Sequence, residues 1–328
     1  MWHKTVLTRT SRQGQAVPIA PAGDPAFAPL FDPSMRWPVR RARLQVAVRS
    51  GFQRAVVVPA ERRVLGWWRS NLPGAATLEG GGLPRRAIEE YLDEALTLHV
   101  NPRALIRSAD WRGYPHKLRP SSSAFVWDGE WDLRRADLRF GSRYRFISEL
   151  DVNRDDLTTT ERFEKLKNLL DSGRPWSSHQ QGILLDSEDR ILLYLKVYLS
   201  FLDDMAIRGF DGSRGKDELG VAITREGTIL KINRGLHRLA MAQRLGLPSV
   251  PVRVRAVHRE WWQRTAGNAR GDAALDKVAL ALQDCMPEQQ AGELDPTQWP
   301  ATFEWPATVP YQSSAARSVV GEVEESSR

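Results

Sequence analysis

Five consecutive residues combine the groups that proteins use to hold a phosphate or a carboxylate: Arg234, Gly235, Leu236, His237 and Arg238. They follow a predicted strand and open a predicted helix, whose first N–H groups and dipole attract an anion. Gly235 permits a positive φ or a close approach of the ligand. Arg238 can offer parallel N–H groups to phosphate oxygens, and His237 can donate a hydrogen bond or exchange a proton near neutral pH. We therefore predict a phosphate-binding turn, with His237 also a candidate catalytic group.

The same side chains have plainer interpretations. His237 and Arg238 could be solvated residues of a first helical turn, but acidic side chains suit a helix N-terminus better than arginine does, which favours a ligand. Arg234 could reach that ligand or point into water. Glu218 is the nearest acidic candidate for a general base or a magnesium contact. Its place in the charged run Lys216-Asp217-Glu218 favours a surface acid instead.

Acidic and aromatic residues outside the turn give weaker indications. Asp128 and Asp132 flank tryptophans and could orient a substrate, although a structural turn explains them equally well. Trp127, Trp131 and Trp176 are expected in the core rather than as a platform for stacking bases. The sequence contains no metal-spaced His/Cys cluster, P-loop or nucleophile elbow.

The elements that must position the turn lie in residues 219–257. Alternating apolar residues and turn residues predict a hairpin, a short helix ended by Gly246, and a third strand. The predicted bounds are a first strand with Val221 and Ile223, a turn at 225–228, a second strand at 229–232, a helix at 236–245 and a third strand at 250–257. Pro251 predicts that the third strand starts at a sheet edge or a bulge.

A strand, the sequence Gly-x-His-Arg at 235–238, a helix ending in Leu245-Gly246 and then Val250-Pro251-Val252 resemble the ParB/sulfiredoxin superfamily. The resemblance implies an α/β (α+β) fold with a small mixed sheet packed by helices, and a nucleotide phosphate held at this turn. The superfamily includes CTP-hydrolysing partition proteins, ATP-dependent sulfiredoxins, free-serine kinases and some nucleases. Gly129-Glu130-Trp131-Asp132 and Gly173-Arg174-Pro175-Trp176 extend the likeness, over about 126–262, to a group of uncharacterised microbial proteins within it.

Several departures from the superfamily narrow its implications. Sulfiredoxins place a catalytic cysteine where this chain has Leu236, and Cys285 lies far along the chain, which argues against sulfinic-acid repair. Partition proteins usually show Gly-Glu-Arg-Arg and a following helix-turn-helix, and neither is evident here. Many relatives have Asp before the glycine, where this chain has Arg234.

The remaining sequence predicts the division of the chain. Alternation at 43–48 predicts a half-buried strand, 55–58 suggests a second, and Ile88, Tyr91 and Leu92 indicate a helix after Pro84. The expected parts are an extended arm at 1–36, an N-terminal α+β extension of unknown type at 37–120, a ParB/sulfiredoxin-like domain at 121–265, a C-terminal helix with a Pro/Trp-rich segment at 266–312, and a disordered tail at 313–328.

Composition bounds the partners and the compartment. Residues 1–60 contain nine basic and two acidic side chains, whereas residues 271–328 contain three and ten. The basic end could attract phosphate polymers or anionic lipid, but no lysine/arginine run is dense enough for a nucleic-acid arm, which favours a solvated surface or packing of the two ends. One cysteine, no signal-peptide pattern, and charges within the apolar run 191–207 predict a cytoplasmic protein without a membrane span.

Three functions remain open at this point. The first is a phosphate- or nucleotide-binding protein with phosphotransferase or nucleotide hydrolase activity, which would use Mg²⁺ with its nucleotide if it transfers phosphoryl groups. The second is a nucleic-acid-binding protein or nuclease that uses the basic N-terminal region. The third is a non-catalytic protein-interaction module in which the turn only closes the fold.

Overall fold

A computed structural model describes residues 25–212, 218–295 and 302–308. The chain divides into two compact units, one drawn from Met1–Gly51 and Phe146–Asp204, the other from Phe52–Arg145 and Met205–Arg328. The helices are α1 (Arg36–Phe52), α2 (Val58–Arg69), α3 (Ala75–Gly80), α4 (Arg85–Leu92), α5 (Ser142–Val152), α6 (Glu161–Asp171), α7 (Glu188–Arg208), α8 (Leu236–Leu245), α9 (Arg259–Ala266) and α10 (Asp272–Leu282).

A mixed seven-stranded sheet forms the centre of the second unit, in the order β1-β9-β7-β8-β2-β4, with β3 also paired to β9. Neighbouring pairs are parallel for β7/β9, β2/β8 and β3/β9, and antiparallel for β1/β9, β7/β8 and β2/β4. The strands are β1 (Thr97–Val100), β2 (Arg107–Ala109), β3 (Val126–Trp127), β4 (Arg135–Asp137), β7 (Leu219–Ile223), β8 (Ile229–Asn233) and β9 (Val250–His258), while β5 (Ser177–Ser178) and β6 (Ile183–Leu184) form a separate pair. The predicted α/β class with a mixed sheet packed by helices is confirmed.

The elements around the turn match the sequence closely. All five residues of β7 are buried, and β9 alternates buried and half-buried positions along most of its length. Between β7 and β8, Gly227 has a φ of 97°, and a Cβ atom there would lie 2.9 Å from Trp261 Nε1. The predicted hairpin, helix and third strand are therefore present, and the hairpin requires glycine at position 227.

Pro251 does not mark a sheet edge, because β9 has a neighbour on each side. It is the second residue of β9 and lies opposite His99 of β1, one residue before the pairing of β9 with β7 begins at Val252. A missing N–H is tolerated where the ladder on one side has not yet started.

The first unit has its own core. Helices α5, α6 and α7 contribute Leu150, Leu166 and Leu195 to a cluster of buried side chains. Phe27 and Leu30, in a short 3₁₀ helix at Pro25–Leu30, are buried in the same cluster. The expected extended arm is therefore wrong for residues 25–36, which turn inward on apolar side chains; residues 1–24 lie outside the described part.

The strands predicted at 43–48 and 55–58 are helical. Residues 43–48 lie within α1, and 55–58 span a π-helical turn, Gln53–Val57, and the start of α2. Alternation over three apolar residues does not distinguish a strand from a helix, because Leu44 and Val48 are also four residues apart, as on one face of a helix. Leu44, Val46 and Val48 are all exposed, so no buried sheet face selects the strand.

The expected boundary near residue 120 does not divide the sheet. Strands β1 and β2, from the expected N-terminal extension, pair with β9 and β8. The expected domain at 121–265 is also not one compact unit, since Phe146–Asp204 belongs to the other. Long-range pairing of three- and four-residue strands leaves no local pattern in the sequence. The predicted tail at 313–328 lies outside the described residues.

Within the described part of the chain, no helix has both the length and the apolar character needed to cross a bilayer. The apolar run at 191–207, considered above as a possible membrane span, lies in helix α7, and Lys196, Asp203 and Asp204 interrupt it.

A buried carboxylate fixes the hairpin between β7 and β8. Asp132 has no exposed area and accepts hydrogen bonds from the Arg225 backbone N–H at 2.8 Å and from its Nη2 at 2.8 Å. The same Nη2 donates to the Gly129 carbonyl at 2.9 Å, and His258 Nε2 lies 3.0 Å from that carbonyl. Asp132 thus has the structural role that the sequence left open.

Replacement of Asp132 by Asn should lower the free energy of unfolding by about 3 kcal/mol, because it leaves the Arg225 guanidinium without its buried carboxylate. Urea unfolding followed by tryptophan fluorescence measures the change. The matched control is Asp128→Asn, whose carboxylate is 62% exposed beside Arg259 and whose loss should cost less than about 1 kcal/mol. Equal losses in the two variants would contradict the assignment.

Candidate functional site

The predicted phosphate-binding turn joins β8 to α8 through two residues with positive φ. Arg234 has a φ of 43° and Gly235 a φ of 68°. Gly235 is the N-cap of α8 and has no side chain to cap the helix, and the first turn of α8 contains no acidic residue. A glycine N-cap cannot itself supply the side-chain oxygen that Ser, Thr or Asp would place at the positive end of the helix dipole.

The turn lies at one end of the sheet, where β8 ends and β7 and β9 begin. Gly220 near the start of β7 is opposite Asn233 at the end of β8. Strand β9 starts at the same end of the sheet because it runs parallel to β7. Arg234 is exposed, whereas Gly235, Leu236 and His237 are half-buried. The corner is therefore not sealed inside the protein.

Arg238 is held in place by groups of the chain segment that precedes β7. Its guanidinium lies over the ring of Phe210, 4.2 Å from the ring centre, and Nη2 donates to the backbone carbonyl of Asp211. Burial lowers the pKa of Arg238 from its usual value, and the nearby Asp211 carboxylate opposes that shift. The side chain is thus half-buried and fixed without a hydrogen bond to a carboxylate, and an anion would restore part of its lost solvation.

Lys231 is a component of this corner that the sequence analysis missed. It lies in β8 with no exposed area, and its Nζ donates to the Gly220 carbonyl at 3.1 Å and to the Arg234 carbonyl at 2.6 Å. A lysine is almost never fully buried unless it is paired or hydrogen-bonded. The charged residue inside the apolar stretch Ile229–Asn233 was the signal that could have indicated it.

Glu218 lies at the same end of the sheet, but its carboxylate is already paired with an arginine. Its carboxylate accepts a hydrogen bond from Arg255 Nη2, and Arg255 Nη1 lies 2.8 Å from Glu89. The Glu218 side chain is 56% exposed. This is the surface acid that its charged run favoured, and its contacts do not support a general base; Lys216 and Asp217 lie outside the described residues.

Of the three tryptophans predicted in the core, Trp127 and Trp131 are buried and Trp176 is partly buried. Trp127 and Trp131 are buried and pack edge to face, with ring centres 5.3 Å apart, and Trp111 stacks on Trp131. Trp176 packs against Tyr194 in the first unit. None of these contacts resembles an open platform for a nucleic-acid base.

The described residues do not assemble a magnesium site by themselves. Within 25–212, 218–295 and 302–308, no three His, Cys, Asp or Glu side chains come together as metal ligands. Glu218, the one acidic candidate, is engaged by Arg255. A divalent cation at this turn would have to be held mainly by the phosphate oxygens of a nucleotide.

Two surface clefts lie elsewhere. One of about 530 Å³ follows the outer face of α6, and one of about 300 Å³ lies between β1 and the segment after α10, next to Cys285. The second is lined by uncharged groups apart from His99, which does not suit a phosphate. A phosphate at a helix N-terminus needs only a shallow corner, because backbone N–H groups supply most of its contacts.

Comparison with protein-family models, with curated proteins and with solved structures finds no match to this chain. The resemblance to the ParB/sulfiredoxin superfamily therefore stays a prediction. The function of the turn is inferred from its geometry.

Replacement of Gly235 by Ala should lower the free energy of unfolding by about 1–2 kcal/mol, because a Cβ atom disfavours the left-handed conformation there. The control is Gly66→Ala inside α2, where an added Cβ meets nothing within 4 Å and should raise stability by about 0.5–1 kcal/mol. Denaturant unfolding measures whether the free energy of unfolding falls in Gly235→Ala and rises in Gly66→Ala. A neutral or stabilising Gly235→Ala would show that the turn is formed differently.

Alkylation of Cys285 should be slow at pH 8. Burial, with a smaller contribution from the Asp284 charge, raises the pKa of this thiol to about 11. With a free cysteine pKa of about 8.5, the thiolate fraction at pH 8 falls by roughly two hundredfold. The iodoacetamide rate, followed by mass spectrometry, should rise about tenfold per pH unit up to pH 10. A plateau near pH 9 would contradict a buried thiol.

Proposed function

We propose that this protein binds a phosphate-bearing ligand, with a nucleotide as the ligand class, at the turn formed by Arg234, Gly235, Leu236, His237 and Arg238. The observation that supports it most is the stacked guanidinium of Arg238 in the first turn of α8, directly after the glycine N-cap. A ligand phosphate would accept hydrogen bonds from the first N–H groups of α8, as anions do at helix N-termini elsewhere.

The electrostatic balance of the corner supports an anion rather than a cation. Buried Lys231 donates to the Arg234 carbonyl, the Arg234 side chain is exposed, and Arg238 lies in the first turn of α8. The carboxylate of Glu218 is neutralised by Arg255. Positive groups close together stabilise a multiply charged phosphate, and more strongly where water is partly excluded.

The step beyond binding is phosphoryl transfer or nucleotide hydrolysis. His237, half-buried in the first turn of α8, is the residue whose side chain could donate a hydrogen bond to phosphate or exchange a proton. Magnesium would enter with the nucleotide, and no described carboxylate cluster receives it. We place this activity in the cytoplasm, because the single cysteine offers no disulfide partner within the chain.

A nucleotide panel tests the proposal by thermal shift, with inorganic phosphate as the simplest probe and with magnesium present or absent. A ligand at one hundred times its dissociation constant adds about 2.7 kcal/mol to the stability of the folded state. Arg238→Ala should strongly reduce the shift, and Arg238→Lys should reduce it less, because an ammonium retains charge but cannot present the planar fork.

The matched control is Arg244→Ala, which removes an arginine from the other end of the same helix. It should leave the shift unchanged. Circular dichroism of each variant excludes loss of fold. The proposal fails if no phosphate or nucleotide stabilises the wild-type protein, or if Arg238→Ala and Arg244→Ala reduce the shift equally.

A further inference from the structure

The segment that follows β2 lies beside the phosphate-binding turn. Strands β2 and β8 are neighbours in the sheet and run parallel, with Ser108 opposite Lys231. Their carboxyl ends therefore lie at the same end of the sheet, which is where open α/β sheets bind their ligands. The indole Nε1 of Trp111 donates to the Ile232 carbonyl at 2.6 Å and so joins the segment after β2 to the strand that leads into the turn.

Three arginines surround the first residues after β2. The Arg112 side chain is exposed. Arg119 Nη2 donates to the Trp111 carbonyl. Arg134 lies against Gly113, where an added Cβ atom would be 3.1 Å from Arg134 Nη1. Arg112, Arg119 and Arg134 together are the arginine cluster.

No carboxylate pairs with the arginine cluster. Residues 111–127 contain two arginines, a lysine and a histidine but no aspartate or glutamate. Over the stretches of chain that the structure describes, none of the three guanidinium groups forms an ion pair. Asp110, just before the cluster, accepts hydrogen bonds from the backbone N–H groups of Arg112 and Gly113 instead. The cluster therefore keeps positive charge that can attract an external anion.

Buried aromatic rings hold the backbone of the cluster in place. The Trp111 ring stacks on the buried Trp131, and the Trp127 ring packs edge to face on both. The Tyr114 side chain is buried next to Trp111. A ligand of the arginines would therefore not have to order this part of the backbone, which lowers the entropic cost of binding.

We propose that the phosphate-binding turn and the arginine cluster together bind the backbone of a single-stranded nucleic acid. The inference rests on the proposed function and makes its ligand a chain of nucleotides, with one phosphate held at the turn. Neighbouring strands lie about 4.8 Å apart, so groups at the ends of β8 and β2 can contact phosphates that follow one another in one chain. The guanidinium groups would donate to the phosphates next to the turn.

The surroundings favour a single strand over other anionic partners. A duplex is stiff over about 150 base pairs, so it can touch exposed arginines but cannot turn one phosphate into a half-buried corner. A lipid bilayer needs apolar side chains to insert, and within residues 107–140, all of which the structure describes, Leu118 is the one large apolar side chain that is exposed. The tryptophan rings are packed against one another, so charge rather than base stacking should dominate the affinity.

Fluorescence anisotropy with a labelled dodecameric oligothymidylate tests this ligand, and an oligouridylate of equal length distinguishes DNA from RNA. At about 50 mM salt, counterion release makes each lost phosphate contact cost roughly eightfold in affinity. Arg112→Gln/Arg134→Gln should therefore weaken binding by roughly sixtyfold and reduce the salt slope of log K by about 1.4. Arg112→Lys/Arg134→Lys should restore most of the affinity, because the charge is retained.

The matched control is Arg63→Gln/Arg270→Gln, which removes two exposed arginines from α2 and from the segment before α10. It should leave the affinity for the oligonucleotide unchanged. Arg238→Ala should weaken both oligonucleotide binding and the thermal shift with a mononucleotide, whereas Arg112→Gln/Arg134→Gln should leave that thermal shift in place. Circular dichroism shows whether each variant keeps its fold.

The outcomes separate this inference from the proposed function. If no oligonucleotide binds while a mononucleotide or inorganic phosphate still stabilises the protein, the nucleic acid is rejected and the proposed function stands. If neither binds, both are rejected. Equal affinity for a duplex, or equal weakening by the control pair, would show a general polyanion surface and overturn the single-strand proposal. Oligonucleotide binding that is insensitive to Arg238→Ala would exclude the turn from the site and overturn it as well.

Discussion

The corner between β8 and α8 depends on the buried ammonium group of Lys231. A charge removed from water costs several kcal/mol unless hydrogen bonds replace its solvation, and here the carbonyls of Gly220 and Arg234 supply two of them. Gly220 belongs to β7 and Arg234 to the turn after β8, so one side chain joins a strand to the turn that starts the helix. That link holds two consecutive residues at positive φ, a conformation that costs energy for arginine and little for glycine. The orientation of the first N–H groups of α8 follows from it.

The elements nearest this corner could be predicted because their local signals agree. The five buried residues of β7, the turn at Gly227, the glycine before α8 and the alternation of β9 each indicate the same structure as their neighbours. The strand prediction around Leu44 was wrong because three alternating apolar residues fit the period of a strand and that of a helix. The exposure of these side chains decides between the two structures, and the sequence does not give it. The positions of β1 and β2 in the sheet depend on partners more than a hundred residues away, which no local pattern records.

The candidate site shows the same division between local and distant information. Gly235 and Arg238 lie where the strand-turn-helix pattern placed them. The groups that hold Arg238, the ring of Phe210 and the carbonyl of Asp211, come from a segment 27 residues earlier and could not be inferred. The sequence does not show that Glu218 pairs with Arg255, and this ion pair argues against Glu218 as a free general base. Lys231 was open to prediction, since a charge within an apolar strand requires either a partner or a role.

The partners of the buried arginines bear on the phosphate-binding proposal. Inside the second unit, several guanidinium groups lie beside carboxylates: Arg225 with Asp132, Arg135 with Glu288 at 2.9 Å, and Arg139 with Asp137 at 2.6 Å. Arg103 instead donates to backbone carbonyls and lies over the ring of Trp305. A paired arginine contributes little potential to attract an external anion, because the neighbouring carboxylate cancels its field beyond a short distance. Arg238 lies over the ring of Phe210 and donates to the backbone carbonyl of Asp211, whose carboxylate is near enough to act on its charge. Because that carboxylate does not bond the guanidinium directly in the way that Asp132 bonds Arg225, the charge of Arg238 is compensated less closely, and this is the electrostatic argument for an anion at the corner.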